Sequence, residues 1–294
     1  MRPAVDVVVP FRGPAVALDE LAVRLAALAL RPGDSVTIAD NRPGAVDAPR
    51  GPVRIVGARE RQTSYHARNR GAAGGIGEWL VFIDADVLAP ADLLDRYFAG
   101  APDERTGVLA GAVVDEEPPD EQSGAAARYA YLKASMSQEI TLADDAWAFA
   151  QTANAAIRRE AFVQAGGFDP SIRSGGDADL CFRLRAAGWG LERRDEAAVI
   201  HRNRATIPRM LAQRARHGAG AGWLARRWPG SMPRRSLPGL ALWSARRAAH
   251  GLAAAARGDR DEALLGLLDG PAVWAFELGR LVPNRPAPRL LTRR

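Results

Sequence analysis

Cysteine and lysine are nearly absent from this chain, at one residue each, Cys181 and Lys133. A lone cysteine excludes an intrachain disulfide and suits a reducing compartment. Aromatic residues make up only 6%. No uninterrupted apolar stretch reaches the length of a membrane span. Of the two most apolar late stretches, one is broken by Arg246, Arg247 and His250, the other by Asp269, Pro271 and Glu277. After Arg2, the run Val5-Asp6-Val7-Val8-Val9 carries no signal-peptide pattern. These features predict a cytoplasmic protein, either free or peripheral at the inner face of the membrane.

What is present is enough for a sizeable core. The chain has 294 residues, 47% of them hydrophobic and 25% charged. That suits one large domain, or one domain with an appendage. The net charge is +6 and almost all the positive charge is arginine. Together with the abundance of alanine, this reads partly as the codon bias of a GC-rich genome. Basic surfaces also attract phosphates, nucleic acid or anionic lipid. The arginines are spread along the chain with no nucleic-acid motif, so nucleic acid is not an expected partner.

Hydrophobic patterning predicts strands at 5–9, 35–39, 53–56, 79–83, 108–114, 151–157 and 197–200. Helices are expected at 15–30, 63–75, 91–99, 125–137, 159–165 and 177–187, and an exposed loop at Asp115–Gly124. The alternation argues for an α/β fold with a mostly parallel, doubly wound sheet. In such sheets ligands bind beyond the carboxyl ends of the strands, where Asp40 and Asp84 both fall. After about residue 205 the pattern is helical only, with breaks expected at Pro229, Pro233, Pro238 and Pro271. The expected division is therefore 1–205, an α/β domain with the candidate ligand site, and 206–294, a helical extension.

Four constellations could carry chemistry. Asp84-Ala85-Asp86 follows the apolar strand Leu80-Val81-Phe82-Ile83. Carboxylates at i and i+2 of an extended segment point to one side. Their hard oxygens suit Mg²⁺ or Mn²⁺ shared with a substrate diphosphate. An isolated pair of this kind could equally cap a helix or face water. In Gly175-Gly176-Asp177-Ala178-Asp179-Leu180, the acids could serve the helix dipole, or Asp177 could act as a general base on an acceptor hydroxyl. His201, after a short strand, is either a packed residue or a third contact to metal or diphosphate. Arg68, within Arg68-Asn69-Arg70-Gly71, is either a solvated residue or a diphosphate partner.

In order, Val7-Val8-Val9-Pro10, Asp40-Asn41, Ala67-Arg68-Asn69-Arg70-Gly71 and Phe82-Ile83-Asp84-Ala85-Asp86 resemble the family 2 glycosyltransferases of the GT-A fold. So do Asn154-Ala155-Ala156-Ile157-Arg158, Gly166-Gly167-Phe168-Asp169 and Gly176-Asp177-Ala178-Asp179-Leu180. The resemblance covers roughly residues 3–215. It implies an inverting transfer of a sugar from a nucleotide diphosphate sugar to an acceptor hydroxyl. On that pattern Pro10, Arg12 and Asp40 line the nucleotide pocket, and Arg68 sits near the nucleotide or its phosphates. Asp84, Ala85 and Asp86 belong to the ribose, diphosphate and metal site. Asn154 and Asp179 lie on the acceptor side, and His201 matches a late histidine near the metal. The family's acid before the base is Gly176 here, which leaves Asp177 and Asp179 as alternative bases. The spacing to Leu180 and Arg183 favours Asp177.

Arg214-Ala215-Arg216-His217-Gly218, Trp223 and Arg226-Arg227-Trp228 resemble C-terminal extensions of bacterial members. Their Arg-rich, Trp-bearing helices suit peripheral membrane contact, a homodimer contact, or packing on the catalytic domain. Two other readings stay open. One is a non-catalytic sugar-nucleotide or membrane-surface binding protein on the same fold. The other is a sugar-phosphate nucleotidyltransferase, although Pro10-Phe11-Arg12-Gly13-Pro14 lacks the glycine-rich basic loop such enzymes carry after the first strand.

Overall fold

A computed structural model describes residues 2–118, 124–204 and 206–286. In chain order the elements begin β1 (Val5–Phe11), α1 (Ala15–Ala26), β2 (Ser35–Asp40), β3 (Ala48–Arg50), β4 (Val53–Gly57) and α2 (Ser64–Ala72). Next come β5 (Trp79–Ile83), β6 (Val87–Leu88), α3 (Leu93–Tyr97), β7 (Thr106–Asp115), α4 (Ala125–Leu132) and α5 (Glu139–Leu142). They close with β8 (Asn154–Arg158), α6 (Arg159–Gln164), α7 (Gly176–Ala186), β9 (Gly190–His201), α8 (Ile207–Arg227), α9 (Leu237–Ala256) and α10 (Arg260–Gly279). The chain divides into two compact units. Among the described residues, one holds 2–113, 138–199 and 285–286; the other holds 114–118, 124–137, 200–204 and 206–284.

The described strands form one sheet in the order β3-β4-β2-β1-β5-β8-β7-β9-β6. β1 pairs in parallel with both β2 and β5, and β2 with β4. β1 and β5 at the centre are almost wholly buried, as expected of parallel strands covered on both faces, whereas β4 nearer the edge exposes Arg54. β8 pairs antiparallel with both β5 and β7. The sheet is therefore mixed, with its parallel half drawn from the first 83 residues.

Asp6 is the one acid inside β1, and it is buried. It is satisfied by Ser35 Oγ, Arg159 Nη2 and, at 2.8 Å, the backbone N–H of Gly77. A carboxylate there without such donors would cost several kcal/mol, about the magnitude of an unpaired buried charge.

Several expected boundaries shift. α1 stops at Ala26 rather than Leu30, and α4 at Leu132 rather than Ser137. β9 is twelve residues long, although only 197–200 read as a strand. Its first part, Gly190–Glu196, is largely exposed, so it lacks the apolar run that marks a buried strand. β3 contains Pro49 and sits at the sheet edge, where a missing N–H is tolerated. Pro271 lies inside α10 and does not break it. α10 packs on both α8 and α9, and that burial offsets the lost helical hydrogen bond. Of the expected loop Asp115–Gly124, residues 119–123 lie outside the described residues, as do Ala205 and 287–294.

The second unit is built on α4, α8, α9 and α10. Ala126, Tyr129, Met210, Leu268 and Ala272 form its core cluster. α8 and α10 approach so closely that a Cβ on Gly218 would lie 1.9 Å from the Phe276 carbonyl oxygen. Only glycine fits there.

Candidate nucleotide-sugar site

β1 lies between β2 and β5, so Pro10, Asp40 and Asp84 stand at the same edge of three adjacent parallel strands. That edge is where open α/β sheets bind ligands. Pro10 is half-buried and Arg12 is exposed just beyond it.

Asp40 is buried and its carboxylate is engaged by a residue the sequence did not single out. Arg42 Nη2 donates to Asp40 Oδ2 at 2.7 Å, and Arg42 Nε donates at 3.0 Å. The hydrogen bonds to Asp40 hold the Arg42 guanidinium above its usual range. Its guanidinium lies 5.6 Å from the centre of the Phe11 ring. The available signal was local: an arginine two residues past a strand-end acid can fold back on it through a turn.

Asp84-Ala85-Asp86 is not an extended segment, as the i, i+2 argument assumed. The backbone N–H of Val87 donates to the Asp84 carbonyl at 3.3 Å, closing a turn between β5 and β6. A turn, not strand alternation, aims the two carboxylates. Arg24 Nη2 donates to the Ala85 carbonyl at 2.9 Å. Asp84 is half-buried and Asp86 exposed.

Arg68 projects from α2, whose start is capped by Thr63 Oγ1 accepting from the His66 N–H at 3.1 Å. Arg68 is buried, and its Nη2 donates to Asp84 Oδ1 at 2.5 Å. Its guanidinium lies over the rings of Tyr65 and Phe168 at 5.8 and 5.9 Å. Its Nε–H is buried without a hydrogen-bond partner among the described residues.

Asp177 opens the first turn of α7 and is half-buried. Burial raises its carboxyl above the usual aspartate range; the Arg68 charge opposes the rise and the Asp84 charge adds to it. Asp177, Arg68 and Asp84 therefore share one electrostatic neighbourhood. The start of α7 is fixed by Tyr65, whose hydroxyl accepts from the Gly176 N–H at 2.8 Å. A Cβ on Gly176 would lie 2.7 Å from the Tyr65 ring. The position at which the family pattern has an acid is thus occupied by the Tyr65 ring. Tyr65 was missed because a lone tyrosine in a predicted helix carries no signal of its own.

Asp179 is buried and accepts from Arg183 Nε at 2.9 Å. Arg183 in turn donates to the Ala165 carbonyl and, at 2.8 Å, to that of Gly167. Asn154 is fully buried at the start of β8. It accepts from Tyr97 Oη at 2.7 Å and donates to the carbonyls of Ala112 and Ala197 at 2.9 and 2.6 Å. His201 ends β9, is buried, and belongs to the second unit. Burial pushes the Cys181 thiol up to about 12, which makes it a packing residue rather than a nucleophile. Among the described residues no group of three or more His, Cys, Asp or Glu could hold a metal ion. No described helix is long and apolar enough to cross a membrane.

The family model described as glycosyl transferase family group 2 matches residues 79–258. The chain belongs to this family. It is 30% identical over 167 residues to the pre-mycofactocin glycosyltransferase of Mycobacterium tuberculosis. That match takes in 55% of this chain and 35% of the relative, so it spans about a third of the relative's length. Among solved structures, the mannosyltransferase PcManGT from Pyrobaculum calidifontis, in complex with GDP-Man and Mn2+, superposes with a TM-score of 0.54. It is 20% identical, and the superposition covers 96% of this chain and 85% of that one. The likeness establishes the GT-A fold: a mixed sheet with flanking helices and, here, a helical C-terminal extension.

Proposed function

We propose that this chain transfers a sugar, with inversion, from a nucleotide diphosphate sugar to an acceptor hydroxyl, with Asp177 as the general base. The observation that carries the reading is the joining of Arg68, Asp84 and Asp177 at the carboxyl edge of the parallel strands. Asp177 takes the proton of the acceptor hydroxyl as its oxygen attacks the anomeric carbon. The bond from that carbon to the diphosphate oxygen breaks on the opposite face, which inverts the configuration. A base is most useful when its pKa lies near the working pH, and burial moves Asp177 in that direction.

The donor side uses residues of the first unit. Asp40, held by Arg42, faces the nucleotide base, with Pro10 and Arg12 beside it. The partnerless Nε–H of Arg68 offers a donor that a phosphate or ribose oxygen would satisfy. The carboxylates of Asp84 and Asp86 are the hard oxygen donors that Mg²⁺ or Mn²⁺ takes. One or two carboxylates, completed by diphosphate oxygens and water, are how such ions are commonly held at phosphate substrates. Of the two, Asp86 is the exposed one, while Asp84 is bound to Arg68. When bound, the ion offsets the charge that develops on the leaving diphosphate.

Asp179 and Asn154 act in this reading as positioning residues, since their polar atoms are engaged inside the fold. Gly176, where the family pattern has an acid, is accounted for by the Tyr65 ring rather than by loss of a catalytic acid.

The test is a thermal-shift screen of UDP-, GDP- and dTDP-sugars with and without Mn²⁺. Stabilisation by one nucleotide class, dependent on the metal and abolished by Asp86→Ala, is expected. A flat response across all of them would overturn the reading.

A further inference from the structure

Residues 197–258 contain twelve arginines and not one aspartate, glutamate or lysine. α9 lies inside this stretch and is turned inside out relative to an ordinary surface helix. Its buried residues are Leu240, Gly251 and Ala254. Its polar groups on that same side are used inward. Arg247 Nε donates to Asp269 at 2.9 Å, and Ser244 Oγ accepts from Trp274 Nε1 at 3.1 Å, both partners lying on α10. At 100° per residue, Ala241, Leu242, Ala245, Ala249, Leu252 and Ala253 fall on the opposite side. All six are exposed, with Leu242 at 54% and Leu252 at 63%. A helix that packs on a protein normally shows water its polar face.

The surroundings of this face are cationic. Arg234 and Arg235 are exposed just before α9, Arg246 on its flank and Arg257 at its end. Trp243, on the same flank as Arg246, is 38% exposed. At the end of α8, Arg227 lies 5.5 Å from the Trp223 ring centre and 5.9 Å from that of Trp228. Apolar residues on one face, arginines along its margins and tryptophans nearby are what an interfacial helix needs. α9 is long enough to span a membrane but not apolar enough.

We propose that the outward face of α9 seats on an anionic lipid bilayer. The leucines and alanines enter the boundary between headgroups and acyl chains, and the flanking arginines meet lipid phosphates. The charge argues against a second copy of the chain as the occupant. Two such faces would bring arginine margins together; the nearest acids are at the start of α10, where Glu262 already pairs with Arg247 and His250 and Asp259 caps the helix. The proposal does not rest on the catalytic reading.

The test is co-sedimentation of the full chain with vesicles of phosphatidylcholine, with and without about one third phosphatidylglycerol. Pelleting with the anionic vesicles alone is expected. Leu242→Gln with Leu252→Gln, which leaves the charge unchanged, should weaken that binding about tenfold without shifting the melting temperature. Failure to pellet with anionic vesicles would overturn the proposal. So would equal pelleting of the double variant, since binding would then be bare charge attraction. A dimer in light scattering that the double variant abolishes would give the face to a second copy instead.

Discussion

Arg68 donates to Asp84 across 2.5 Å, so the first carboxylate of the Asp84-Ala85-Asp86 turn already has a cation beside it. Asp86 is left as the more exposed acid. The two aspartates, alike in sequence, therefore hold different positions. One is bound to a buried arginine, and the other is exposed to solvent.

Arg68→Ala leaves Asp84 without its buried partner and should cost about 1–3 kcal/mol of stability, readable by denaturant unfolding. It also removes the charge that holds the Asp177 carboxyl down. The acid limb of the kcat/KM profile should then move to higher pH. An unchanged limb would show that Arg68 and Asp177 are not coupled.

Asp177→Asn should separate stability from activity. The wild-type carboxyl is raised in the fold, so its charged form is disfavoured there relative to the unfolded chain. With the folded value above the unfolded one, its contribution is fully present below the unfolded pKa and is lost as pH rises through the folded value. The neutral amide avoids that loss. The variant should melt at or above the wild-type temperature at pH 7, and the margin should vanish below about pH 4, the ordinary aspartate range.

Asp179→Asn should do the reverse. It breaks a buried pair with Arg183 and loosens the turn that Arg183 holds through Ala165 and Gly167. A loss of about 3–5 kcal/mol is expected, the usual consequence of breaking a buried ion pair from one side. The folded fraction should keep most of its kcat. Loss of kcat at an unchanged melting temperature would move the general base to Asp179.

Gly176→Ala drives a methyl into the Tyr65 ring at 2.7 Å, while Tyr65→Phe removes the hydroxyl that accepts from the Gly176 N–H. The first should destabilise by about 1–3 kcal/mol, typical of overpacking. The second should cost about 1 kcal/mol, typical of a lost hydrogen bond. Adding Tyr65→Leu to Gly176→Ala should recover part of the melting temperature but not kcat, because Tyr65 also positions Asp177. A double-variant cycle with no coupling would count against this contact.

These predictions divide between what sequence could and could not carry. Asp40 and Asp84 were legible because each follows an apolar strand, and a parallel α/β sheet leaves little doubt where such strand ends lie. Asp177 was legible from the order of motifs around it. The antiparallel setting of β8 was not, since strand direction depends on which neighbour a strand finds rather than on its own residues. Tyr65 and Phe168 were missed for a related reason, since each acts through a contact that crosses more than 90 residues of chain. Arg42 had a local signal, two residues past Asp40, that the motif reading passed over. The pairing of Asp84 with Asp86 was reached with a strand argument, where the structure has a turn.

The most direct test of the central claim is release of the nucleoside diphosphate. It is measured with Mn²⁺ and whichever of the UDP-, GDP- or dTDP-sugars stabilises the protein, for the wild-type chain and for Asp177→Asn. The wild type should release the diphosphate, with water as a slow acceptor if no other is supplied. Asp177→Asn should bind the same donor and metal with release lowered at least about a hundredfold, the scale of a lost general base. Equal release by both proteins, or binding without any release by the wild type, would contradict the account.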